Sequence, residues 1–97
     1  MRDLKERSFN EWLVIESQRG EVDAFNKLIE SWEQRYFLYA MNRLKSREAA
    51  SDVTQDSLIS ISKGLSKLSD PASYPKWSFR IVERRCVVFC GYIIWKP

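Results

Sequence analysis

Between residues 21 and 44 the chain places Val22, Phe25, Leu28, Ile29, Trp32, Tyr36 and Tyr39 at intervals of three and four. That period, kept over some five turns, predicts a long helix with one side buried. A strand would need alternation by two, and no segment of the sequence shows it. A long one-sided helix needs partners, and the flanking sequence supplies them. Phe9, Trp12 and Leu13 share a face of a first helix that Gly20 is placed to stop. Ser46 can cap a third helix, whose inner face would carry Ala50, Val53, Ser57, Leu58, Ile61, Leu65 and Leu68. The run Ser69-Asp70-Pro71-Ala72-Ser73 breaks the pattern. A fourth helix then starts near residues 73–75, where Pro is tolerated, with Trp77, Ile81 and Val88 on one side. The expected fold is all-α, a small bundle of three to four helices forming a single domain over residues 1–97. A chain of this length leaves no room for a two-domain enzyme with a cleft between its halves.

Composition narrows the chemistry. The sequence has no His, which removes His-based acid–base catalysis and most zinc sites, so no cofactor or metal is expected. Cys86 and Cys90 cannot build a disulfide framework and read as two small buried hydrophobes in a reducing, cytoplasmic setting. Charge is uneven: residues 1–60 carry nine Lys and Arg against eleven Asp and Glu, whereas residues 61–97 carry seven against two. Such asymmetry suits a protein partner on one face and nucleic acid on another, or simply an unevenly decorated surface. Residues 1–7 are too charged for a signal peptide. The apolar run of residues 86–95 is about half the length of a spanning helix, so no membrane partner is expected.

Two constellations could carry function. On the third helix Asp52, Gln55, Asp56 and Ile59 stand at i, i+3, i+4 and i+7 opposite the apolar stripe, so they project together. Two carboxylates flanked by an amide and an aliphatic suit the Arg forks of a partner protein, and equally describe an ordinary solvated acidic stripe. With no His, Gly-rich loop or cleft to split their pKa values, the same carboxylates are poor catalysts, and the protein reads as a non-enzyme. On the fourth helix Lys76, Arg80 and Arg84 follow at four-residue steps, a basic ridge bordered by Trp77 and approached by Lys63 and Lys67. Such a ridge can meet phosphates, and an adjoining aromatic can stack on an unpaired base. The loop of residues 69–74, with Ser69, Asp70 and Tyr74, has side chains able to hold a flipped base by its edges. The plainer alternative makes Trp77 part of the core and the ridge a solvated face.

In order, these pieces resemble region 2 of a bacterial RNA polymerase sigma factor of the extracytoplasmic-function type. Gly20-Glu21-Val22-Asp23-Ala24-Phe25 is similar to the family's Gly-Asp-x-x-Ala-Phe opening. Ala49-Ala50-Ser51-Asp52-Val53-Thr54-Gln55-Asp56-Ser57-Leu58-Ile59 resembles its Ala-Glu-Asp-Leu-Val-Gln-Glu-x-Phe-Leu signature, with Ser51 in place of the acid and Leu58 of the aromatic. Tyr74-Pro75-Lys76-Trp77-Ser78-Phe79-Arg80-Ile81-Val82 resembles its aromatic-x-x-Trp-Leu-x-x-Ile-Ala segment. The likeness runs from about residue 8 to residue 87.

The resemblance implies a transcription initiation module. Asp52, Gln55, Asp56 and Ile59 would dock on the clamp helices of the largest subunit of core RNA polymerase. The loop of residues 69–74 and the start of the fourth helix would take the non-template strand of the −10 promoter element. An anti-sigma factor is a further implied partner. The chain departs from the family at its end: Arg84, Val88 and Gly91 stand where the family carries Asn, Asp and Arg, and residues 88–97 form a divergent apolar tail. The family's helix-turn-helix domain, which reads the −35 element, has no counterpart in these 97 residues, as in a shortened product. Hence a second expectation, a protein-interaction module that docks on core polymerase or an anti-sigma partner without promoter activity, and a third, a folded remnant. A helix apolar on every side also predicts self-association through residues 87–95, unless Gly91 ends the helix and the tail folds back.

Overall fold

The computed structural model describes residues 2–95, with side chains characterised for residues 4–91. It contains four α-helices and, among the described residues, no strand: α1 (Arg2–Gln18), α2 (Val22–Leu44), α3 (Arg47–Gly64) and α4 (Tyr74–Trp95). Two short 3-10 turns, Leu65–Lys67 and Pro71–Ser73, carry the chain from α3 to α4.

Local chemistry sets the boundaries. The α1 terminus is a Schellman turn: Gly20 takes φ 95°, its N–H donates to the Ser17 carbonyl at 3.0 Å, and the Glu21 N–H reaches the Glu16 carbonyl at 3.1 Å. Ser46 caps α3 as the sequence predicts, its Oγ accepting from the Ala49 N–H at 3.2 Å. The end of α2 is less comfortable. Lys45 adopts the left-handed conformation, φ 57°, so that its N–H can close on the Met41 carbonyl at 2.8 Å.

The long helix α2 is the hub and packs on the other three helices, while α1 reaches α2 and the two 3-10 turns. Leu13 and Val14 from α1 join Ala24, Leu28, Tyr36 and Ala40 of α2 in the buried core. Ala50, Val53, Ile61, Leu65, Tyr74, Val82 and Cys86 complete it. Aromatic edges fix the register of α4 on α2: Trp32 lies 5.8 Å from Tyr74, Tyr36 5.2 Å from Phe79, and Tyr39 5.7 Å from Phe79, centroid to centroid. At the far end Arg43 pairs with Glu83 at 3.7 Å. The two helices therefore run parallel, and α3 runs antiparallel to α4, with Gly64 against Trp77 and Ser60 accepting from Arg85. Because α2 ends one residue after Arg43, the later turns of α4 continue past the end of α2.

Four expectations need correction. Phe9 and Trp12 stack on each other at 6.0 Å but stay about half exposed, because Leu13 and Val14 form the inner side of α1. Val22 is 68% exposed: it opens α2, before the core begins at Ala24. The helix α3 ends at Gly64, capped by the Leu65 N–H on the Ile61 carbonyl, although Leu65 and Leu68 still turn inward from the 3-10 segment. Val88 is exposed, and α4 runs unbroken through Gly91 to Trp95, so Gly91 does not end the helix. A helical glycine costs about 1 kcal/mol against Ala, which weakens a helix without stopping it. The side chains of Tyr92–Trp95, on which part of the self-association expectation falls, lie outside the described residues.

Candidate functional site

The outer side of α3 follows from its inner one. Ala50, Val53, Ser57 and Ile61 are buried, which turns Asp52, Gln55, Asp56 and Ile59 outward; all four are exposed, and Ile59 keeps 54% of its surface. Neither carboxylate forms an ion pair among the described residues. Beside them a shallow groove of about 270 Å³ opens between α2 and α3, lined by Glu33, Gln34 and Phe37 as well as Ser51, Thr54 and Gln55. Glu33 thus adds a carboxylate to this side of the bundle. Sequence periodicity could not find it, because only packing brings α2 beside α3 here.

On α4 the ridge is exposed in full: Lys76, Arg80 and Arg84 all face solvent and none has an acidic partner among the described residues. Trp77 is half-buried rather than free. Its ring lies against α3 so closely that a Cβ on Gly64 would stand 3.0 Å from Cζ2, and its centroid is 6.0 Å from that of Tyr74. Trp77 is thus packed on the core cluster, with part of its surface left at the edge of the ridge. Lys63, next to Gly64, is exposed, as is Lys67 at the end of the first 3-10 turn.

The loop of residues 69–74 is ordered from within. Asp70 accepts from the Ala72 N–H through Oδ1 at 3.1 Å and from the Ser73 hydroxyl through Oδ2 at 3.2 Å. Its carboxylate therefore holds the turn. Ser69 is exposed and free of such a role. Gln18 clamps the base of the loop, its Nε2 donating to the carbonyls of Leu65 at 2.9 Å and Leu68 at 2.8 Å. Tyr74 does not reach the surface at all: it is fully buried, its hydroxyl 2.9 Å from that of Tyr36. Burial pushes the Tyr36 phenol up to about 12 and the Tyr74 phenol higher still, so both stay neutral and hydrogen-bonded. As a base-contacting residue Tyr74 is a mistaken expectation; it anchors the loop from below.

One feature of the site escaped the sequence reading. A cavity of about 390 Å³ opens on the other side of the loop, where Ala72 and Pro75 face Arg7, Phe9, Asn10, Trp32 and Arg35. Trp32 donates through Nε1 to Asn10 Oδ1 at 2.6 Å, and the Arg35 guanidinium sits 4.5 Å above the Trp32 ring. Aromatic walls with amide, guanidinium and carboxylate groups at the rim can take a planar heterocycle by its face and edges.

No family model, curated protein or solved structure matches this chain. No cluster of metal-ligating residues occurs among the described residues. Cys86 is buried, its thiol pushed up by desolvation, whereas Cys90 is exposed, so only one of the two is the buried hydrophobe expected.

Proposed function

We propose that this domain is a transcription initiation module that docks on core RNA polymerase through α3 and holds an unpaired −10 promoter strand along α4. One observation carries the reading: an unpaired acidic face and an unpaired basic ridge stand on different helices of one small bundle. Asp52 and Asp56, with Glu33 across the groove, offer carboxylates to Arg forks, and Ile59 adds an apolar anchor beside them. Lys76, Arg80 and Arg84 meet successive phosphates, while the cavity under the loop, walled by Phe9 and Trp32, receives a flipped base. Such a module works in the cytoplasm by binding and performs no chemistry.

The second reading, a module that docks on polymerase or an anti-sigma partner without reading a promoter, draws on Val88, which is exposed at a position where the family carries a polar residue. Strand binding separates the two. Affinity for a −10-like single strand, measured by fluorescence anisotropy over a range of salt, should fall steeply as salt rises. Replacing Lys76, Arg80 and Arg84 with Ala should flatten that slope by about 0.7 per residue removed. An unchanged slope removes the ridge from the interface and leaves the docking-only reading.

A further inference from the structure

We propose that the end of α4 inserts into the surface of an anionic lipid bilayer, with the basic ridge of the same helix lying on the headgroups. This departs from the sequence expectation of no membrane partner and does not depend on the polymerase reading. Successive helical positions point about 100° apart. Of the four consecutive residues Val87, Val88, Phe89 and Cys90, only Phe89 rests on the core; Val87 and Val88 keep 60% and 64% of their surface, and Cys90 is exposed. The bundle thus covers one side of an apolar helix end and leaves the others open.

Charge decides between occupants. Residues 84–97 contain no Asp or Glu, and Glu83 itself is paired with Arg43. Arg84 and Arg85 stand immediately before the apolar end, with Arg80 and Lys76 one and two turns behind on the ridge. A second copy joined end to end would bring these cations together with no acid of the tip to offset them. An anionic bilayer supplies the complement: cations at the headgroups, an apolar end beyond them. Length agrees as well. The nine residues from Val87 to Trp95 extend about 13 Å as a helix, enough for a tilted α4 to sink its apolar end about 5–10 Å while Arg80 and Arg84 stay at the headgroups. Among the described residues no helix is long and apolar enough to cross. The contact is therefore interfacial. It occupies the ridge, so lipid and nucleic acid would exclude one another.

Co-sedimentation of the full chain with phosphatidylcholine vesicles, with and without phosphatidylserine, tests this. Binding should be at least tenfold tighter with phosphatidylserine present and should weaken as salt rises. Val87→Asp with Val88→Asp should lower it by roughly tenfold or more while circular dichroism stays helical, since both side chains are exposed. Arg80→Ala with Arg84→Ala should cost roughly fivefold per residue and erase the lipid preference, and this pair decides if the valine pair unfolds. No binding, equal binding to both vesicles, or binding indifferent to the fold-preserving substitutions would overturn the proposal. So would a vesicle-free dimer, seen by analytical ultracentrifugation, that the aspartates dissolve, because a second copy would then be the occupant. Capture of core polymerase through Asp52 and Asp56 reads the other site and is unaffected by any of these outcomes.

Discussion

Tyr36 and Tyr74 bury their phenols together, hydroxyl to hydroxyl at 2.9 Å, at the point where the loop of residues 69–74 turns into α4. Removing the Tyr36 hydroxyl strands that of Tyr74, whereas Tyr36 also has the Ser78 hydroxyl as a partner. Tyr36→Phe should cost about 1–3 kcal/mol in urea denaturation, Tyr74→Phe less, and the two together less than the sum of the single changes. The raised phenols also set a direction with pH. Below the ordinary value of 10.0 both tyrosines are protonated in the folded and unfolded chains, and the pair's contribution is constant. Above it the unfolded chain releases protons that the folded chain keeps, so stability should fall from about pH 10 upward, through the folded Tyr36 value of about 12. Thermal melts at rising pH measure this; in the double Phe variant the alkaline loss should shrink. The sequence could not assign Tyr74 this role. An aromatic beside a loop reads alike whether its ring faces outward or inward, and here the deciding partner lies 38 residues earlier.

At the scale of elements, much of the bundle was legible because its signals are local. The stripe of α2, the Ser46 cap and the Gly20 stop each act within a turn or two of chain, and each predicted its element. What failed was placement across elements. Phe9 and Trp12 follow a helical face, yet the side of α1 that packs was decided by Leu13 and Val14. The groove beside Asp52 and the cavity under the loop join side chains from separate helices, such as Asn10 and Trp32, 22 residues apart. Two substitutions test the joints. Lys45→Gly should raise stability by up to about 1 kcal/mol, because it relieves a left-handed side-chain residue while keeping the Met41 closure. Gln18→Ala should destabilise by about 1–3 kcal/mol, since it leaves the Leu68 carbonyl without its donor, while that of Leu65 keeps only the Leu68 N–H. Chemical denaturation measures both. Hydrogen exchange should report the Gln18 loss first in the 3-10 turns.

For the whole molecule, the separation of charge is the organising fact. α2 provides the buried hub that lets α3 turn acids outward while α4 turns out its bases. The acidic face was readable from its i, i+3, i+4, i+7 spacing and the basic ridge from four-residue steps, because both are single-helix patterns. Capture of core RNA polymerase by the immobilised chain, beside a chain carrying Asp52→Lys and Asp56→Lys, tests the central claim most directly. The original chain should capture the polymerase, charge reversal should abolish that capture, and melting should stay nearly unchanged, since both carboxylates are exposed and unpaired among the described residues. Capture that survives the reversal, or no capture by the original chain, would contradict that claim.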